Sequence, residues 1–224
     1  MTFTALDTEH SIRIPLNKIT LDGILYVPRI STGIILFVHG SGSSRFSSRN
    51  QFVAKSLQKA GFATFLFDLL TPEEEKIDSE SLEFRFDLEL LSSRLLMVTD
   101  WVVKQSLTRE LPIGYFGAST GGGAAIMAAA ERADTVKAVV SRGGRPDLAG
   151  ASLSQIKAPT LLIVGGDDSV VIDLNKQAML SMKNIHQLEI VPNATHLFEE
   201  PGALDIVSKL SEQWFFKYLN KQEF

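Results

Sequence analysis

Six short runs dominated by apolar residues punctuate this chain, and no other feature limits its fold as tightly. They are Ile34–Val38, Phe62–Phe67, Ile113–Phe116, Val136–Val140, Thr160–Val164 and Leu188–Val191. A run that is apolar at successive positions, not alternate ones, predicts a strand covered on both faces. Between the runs the spacing becomes helical. Phe52, Val53, Leu57 and Ala60 predict one apolar face that stops at Gly61. Leu88, Leu91, Leu95, Val98 and Val102 step by three and four along a single stripe. Leu204, Val207, Leu210, Trp214 and Tyr218 predict a last helix, with Pro201 near its start, where a missing N–H does no harm. Strands alternating with helices give a mostly parallel sheet covered on both faces. Ahead of it, Ile12–Leu16 and Ile19–Val27 read as an antiparallel pair at a sheet edge.

No internal repeat or Pro/Gly/Ser-rich linker interrupts the pattern, so residues 1–224 are expected to form one α/β domain. Leu70–Ser81, which contains Glu73-Glu74-Glu75-Lys76, predicts a solvated loop. The chain is 45% hydrophobic and 21% charged, which excludes a disordered or low-complexity polypeptide. A net charge of −4 without a basic stripe argues against nucleic acid as a partner. The absence of cysteine removes disulfides, thiolate metal sites and cysteine catalysis together. No apolar run approaches the ~18 residues that cross a bilayer, so no membrane partner is expected. Met1–Asp7 lacks the basic-then-apolar order of a secretion signal, and a soluble, cytoplasmic protein is the expectation. No argument from the residues requires a metal or a cofactor, and none of them sets an oligomeric state.

In parallel α/β sheets, ligands sit beyond the carboxyl ends of the strands, so the polar residues that follow each run matter most. Gly117-Ala118-Ser119-Thr120-Gly121 leads from one such run into a helix of small residues. A serine on a sharp strand-to-helix turn needs side-chain-free neighbours two residues to either side. The same pattern also suits a serine that merely caps the helix. As a nucleophile, Ser119 needs a base, and there are four histidines to choose from. His10 and His186 read as surface or edge residues, and His39 ends a buried strand. His196 stands between the final strand and the last helix, at the edge where Ser119 emerges. The base in turn needs a carboxylate, and Gly165-Gly166-Asp167-Asp168 offers two at a strand end. One would face His196, leaving the other free to cap the helix that begins near Val170. An oxyanion hole would take one N–H from Thr120 and a second from the loop His39-Gly40-Ser41-Gly42, at Ser41.

These segments resemble the α/β-hydrolase fold superfamily and, within it, the dienelactone hydrolase-like group. The likeness extends over nearly the whole chain, through its eight candidate strands, the Ser…Asp…His order and the His-Gly loop. More narrowly, the chain is similar to the hydrolase half of phosphoribosyltransferase–hydrolase fusion proteins, in Val38–Arg45, Gly114–Gly121, Ser141–Asp147 and Ala194–Gly202. The resemblance implies an eight-stranded sheet without a large cap domain. It also implies a triad of Ser119, Asp168 and His196, because Gly165, Asp168 and Val171 fit the pattern Gly-x-x-Asp-x-x-Val. Dienelactone hydrolases themselves carry cysteine where this chain has Ser119. No Thr-Gly-x-Thr follows Asp167-Asp168, so no phosphoribosyltransferase half is expected.

The implied reaction is hydrolysis of a small acyl substrate (an ester, lactone or thioester). Arg45, Arg142 and Arg145 all fall near the same edge and could recognise an anionic substrate, since guanidinium forks grip carboxylates by paired hydrogen bonds. Arg142 or Arg145 could instead pair with Asp147 or cap loop carbonyls. Too little chain lies between Ser141 and Ala158 for a helical lid, which predicts an open pocket. The rival readings are a noncatalytic ligand-binding protein of the same fold, and an acyltransferase or haloperoxidase-like activity on the same triad.

Overall fold

The computed structural model describes residues 6–220. The amino-terminal reading, the lack of a secretion signal, rests chiefly on residues 1–5 and lies outside the described residues. Strands β1 (Glu9–Leu16) and β2 (Ile19–Tyr26) form the antiparallel edge expected of them. They are followed by β3 (Ile34–Val38), α1 (Ser48–Lys59), β4 (Ala63–Phe67), α2 (Pro72–Ser81) and α3 (Leu88–Val102). Then come β5 (Ile113–Ala118), α4 (Thr120–Glu131), β6 (Val136–Arg142), β7 (Thr160–Gly165), α5 (Ser169–Met179), β8 (His186–Val191) and α6 (Ala203–Leu219). The eight strands lie in the order β1-β2-β4-β3-β5-β6-β7-β8, and every pairing from β4 to β8 is parallel.

The continuous apolar runs of β3 to β7 are explained by two cores, one on each face; Leu188–Val191, expected to be covered like them, lies in β8 at the sheet edge, where Ile190 is exposed. Along β3, Ile34, Leu36 and Val38 enter the core covered by α3 and α4, while Ile35 and Phe37 enter the one covered by α1 and α6. Full burial of each such side chain contributes roughly 1.5–3 kcal/mol. Leu91, Leu95, Val98 and Val102 are buried on α3 as the stripe predicts. On α1 the buried face is Asn50, Val53, Ala54 and Leu57; Phe52, expected in the core, is exposed.

One segment overturns its expectation. Leu70–Ser81 was predicted as a solvated loop, and its larger part is the helix α2. The Thr71 hydroxyl accepts from Glu74 N–H while the Glu74 carboxylate accepts from Thr71 N–H, and Pro72 stands at the first helical position. The acids that suggested a loop, Glu73, Glu74 and Glu75, occupy the first turn, where the helix dipole favours them. α2 has no apolar stripe and buries only Asp78. Between β6 and β7 there is a short 3-10 segment, Pro146–Ser154, and no cap domain.

Candidate active site

Ser119 stands between β5 and α4 with φ 52° and ψ −124°. A non-glycine residue there carries roughly 1–3 kcal/mol of strain, which persists only if its surroundings fix it. They do so through hydrogen bonds. Ser119 N–H donates to the Arg142 carbonyl at 3.2 Å, and the Ser119 carbonyl accepts from Gly122 and Arg145 N–H groups at 2.9 and 3.1 Å. The flanking glycines are required by contact distance. A Cβ on Gly117 would lie 2.5 Å from the Gly121 carbonyl oxygen, and one on Gly121 would lie 2.3 Å from that of Val38. The serine therefore sits on the tight turn its motif predicts, and it makes no capping hydrogen bond to the helix.

His196 and Asp168 meet across the rim, with Nδ1 and Oδ2 2.7 Å apart. A carboxylate can only accept, so the Nδ1 proton is committed to Asp168 and Nε2 is left as the basic nitrogen. Asp168 occupies the position before α5 but makes no capping bond, while Asp167 is exposed to solvent. Neither acid thus caps α5 through its side chain. Ser119 and His196 line the same cleft, of about 220 Å³, together with Gly40, Ser41, Asn50 and Arg142. Gly143 separates strand β6 from the histidine loop, and a Cβ there would stand 3.6 Å from the His196 ring.

The two expected oxyanion donors lie side by side, in an arrangement that the sequence did not reveal. Ser41 N–H donates to the Thr120 hydroxyl oxygen at 3.0 Å, and the two hydroxyl oxygens are 2.9 Å apart. The three arginines separate in their surroundings. Arg145 is held by Asp147 through two hydrogen bonds of 2.8 and 2.7 Å, the structural pairing considered above. Arg45 lies in an adjoining cavity of about 600 Å³, where Asp68 binds both its backbone N–H and its guanidinium. Arg142 is different. It is buried, it lines the cleft with Ser119, and among the described residues no carboxylate pairs with it.

Arg142 reaches that place because β6 pairs with β5 in the register Ala118↔Arg142, beside Ser119. One terminal nitrogen donates to Asn50 Oδ1 at 3.3 Å, and Nε is buried without a partner. Burial, and then the charge of Arg49, push its pKa down to about 10, so it is still a cation at neutral pH. Its guanidinium lies 5.7 Å from the centre of the Phe198 ring. Phe198 is itself buried with φ 56°, two residues after His196. Arg49, Asn50 and Phe198 are site residues that the sequence reading missed. Arg49 and Asn50 follow the His-Gly loop closely, but only the fold brings them to Arg142.

Comparison with known proteins agrees with this fold. The Dienelactone hydrolase family matches residues 21–218. A dienelactone hydrolase of Anabaena variabilis is 55% identical, with a TM-score of 0.94 over 95% of this chain and 99% of that one. Est1E of Butyrivibrio proteoclasticus shares the fold at 17% identity, with a TM-score of 0.77 over 92% of this chain and 98% of its own. A Mycobacterium tuberculosis H37Rv protein that carries the provisional name phosphoribosyl transferase is 54% identical over 211 residues. Those residues are 94% of this chain but 47% of the relative, so the chain spans about half the length of the curated relatives it matches. The expected fold and family are both met: this chain is an α/β hydrolase and belongs to the dienelactone hydrolase family.

Proposed function

We propose that the protein is a serine hydrolase that cleaves a carboxylic ester, lactone or thioester through an acyl-enzyme on Ser119. The observation that carries this reading is the 2.7 Å His196–Asp168 bond on the cleft that also holds the strained Ser119. His196 Nε2 takes the Ser119 proton as Oγ attacks the acyl carbon, and Asp168 stabilises the imidazolium that forms. The oxyanion is received by Thr120 N–H, in the first turn of α4, where backbone N–H groups lack intrahelical acceptors. Ser41 N–H joins it by turning from the Thr120 hydroxyl to the acyl oxygen. Each such donor lowers the barrier by roughly 3 kcal/mol. His196 then protonates the leaving group, and water repeats the sequence to release the acid.

The substrate class in this reading is a small ester bearing an anionic group. A buried guanidinium with an unpartnered Nε, in the cleft with the nucleophile, suits a carboxylate of the substrate. The phosphoribosyl transferase name belongs to relatives of which this chain spans about half, and the residues of this chain support the hydrolase reading. A fluorophosphonate probe tests it. Wild type is expected to be labelled at Ser119 and Ser119→Ala to remain unlabelled. A folded wild type that does not react would favour a noncatalytic binding protein. Product analysis with competing alcohols separates hydrolysis from acyl transfer.

A further inference from the structure

Asp78 lies on α2, outside the strand ends that carry the triad, yet a chain of hydrogen bonds leads from it to the oxyanion loop. Its carboxylate is the one buried side chain of α2. It accepts from Phe84 N–H at 2.7 Å, Arg85 N–H at 2.9 Å and Arg85 Nε at 2.6 Å, while its carbonyl accepts from Arg85 Nη2 at 2.9 Å. Arg85 is thereby gripped at both backbone and side chain. The Arg85 carbonyl accepts the Ser41 hydroxyl proton at 3.0 Å. A carbonyl has no proton to give, so the proton between the Ser41 and Thr120 hydroxyls, 2.9 Å apart, belongs to Thr120. With its proton committed, the Thr120 oxygen accepts Ser41 N–H at 3.0 Å. One arrangement of protons satisfies every link. The Arg85 side chain also covers the loop, since a Cβ on Gly42 would lie 3.2 Å from its Nη1.

We propose that Asp78 is a positioning residue for the oxyanion hole, acting through Arg85 and the Ser41 hydroxyl to fix the Ser41 backbone beside Thr120, from where its N–H passes from the Thr120 hydroxyl to the acyl oxygen. The role rests on the hydrolase reading above. Asp78→Asn sets an amide N–H2 or a weaker acceptor against Arg85 Nε, which loosens the Arg85 carbonyl and with it Ser41. Ser41→Ala keeps the backbone N–H and cuts the same chain one link later, without disturbing α2.

The test uses p-nitrophenyl acetate turnover and the second-order rate of fluorophosphonate labelling. Each single variant is expected to lose about ten-fold in both rates, with KM changed less than two-fold, because an oxyanion contact exists mainly in the transition state. The double variant should lose no more than the worse single one, since both cut one chain. Hydrogen exchange at the Ser41 amide should rise about ten-fold in each. Multiplicative losses in the double variant, or an unchanged Ser41 amide in Asp78→Asn, would overturn the proposal. If Asp78→Asn does not fold, Ser41→Ala with wild-type rates does the same. Labelling of wild type and Asp78→Asn at equal rates removes the positioning role alone; a wild type that is not labelled removes the hydrolase reading and this role with it.

Discussion

The two cavities on either side of the oxyanion loop differ in a way that volume does not capture. The larger, of about 600 Å³, contains Arg45, whose guanidinium is bound by Asp68, lies 3.8 Å from Asp22 and stacks 4.3 Å from the Phe46 ring. The smaller, of about 220 Å³, contains Arg142, which has an amide oxygen and an aromatic face but no carboxylate. Burying a cation without a counter-charge is costly, and folds normally avoid it by pairing. In the larger cavity the arginine therefore has its counter-charges, whereas in the smaller the Arg142 guanidinium stands in the cleft of Ser119 without one among the described residues. Unmet electrostatic demand, and not size, marks the place where a ligand belongs.

The largest expected effects concern the triad side of this comparison. Ser119→Ala should lower ester turnover by about 10⁴-fold or more, measured with p-nitrophenyl acetate, because no other hydroxyl lining the cleft stands on the turn into α4. Asp168→Asn should cost about 10³- to 10⁴-fold by allowing the wrong imidazole tautomer. Asp167→Asn should leave turnover within two-fold, as its side chain faces solvent. Equal losses in the two aspartate variants would contradict the assignment of Asp168.

The arginines sharpen the contrast directly. Arg142→Gln should lower the ratio of kcat/KM for a carboxylated ester over its neutral analogue by about ten-fold or more, the worth of a charge-assisted hydrogen bond. The fold should tolerate the change, because a buried unpaired cation is removed. Arg45→Gln should do the reverse. It should leave that ratio unchanged and lower the unfolding free energy by about 1–3 kcal/mol, since Asp68 loses its partner while largely buried. If both variants lost substrate preference equally, the distinction between the two cavities would fail.

What the sequence made legible follows from how local each feature is. Strands covered on both faces write their burial into consecutive residues, so β3 to β7 and the antiparallel edge could be read directly. The Gly117–Gly121 turn was legible as a motif, although only Gly117 avoids atoms within a few residues, while Gly121 keeps clear of the distant Val38 carbonyl oxygen. The sequence was silent where a property depends on partners far along the chain. That Arg142 is unpaired while Arg45 and Arg145 are paired is set by Asp68, Asp147 and the β5–β6 register. Helix α2 was misread because its stability comes from a capping box and from first-turn acids, not from apolar periodicity. Phe52 was misplaced for a related reason: the helical stripe fixes a face but not which flank of it meets the sheet, and Asn50 took the buried position.

The smallest expected effect lies on the wall of the larger cavity, at His39. Its Nδ1–H donates to the Gly40 carbonyl at 2.9 Å and its Nε2 accepts from Leu69 N–H at 3.0 Å. The bond from Leu69 requires an unprotonated Nε2, and burial, outweighing the Gly40 carbonyl that favours the charged ring, pushes its pKa below the ordinary 6.5. Below pH ~6.5 the unfolded chain takes up a proton at this position while the folded protein does not. Unfolding then binds protons, so this contribution is fully present above that pH and is lost as the pH falls towards the folded value, by at most ~1.4 kcal/mol per pH unit. Asp78, whose pKa is held below its ordinary 3.8, adds a loss of the same sign at lower pH. Urea unfolding of the wild type at pH 8 and pH 5.5 should therefore show about 1 kcal/mol of acid destabilisation that His39→Gln, though less stable at both pH values, does not share. The same slope in both proteins would mean that His39 binds its proton as readily folded as unfolded.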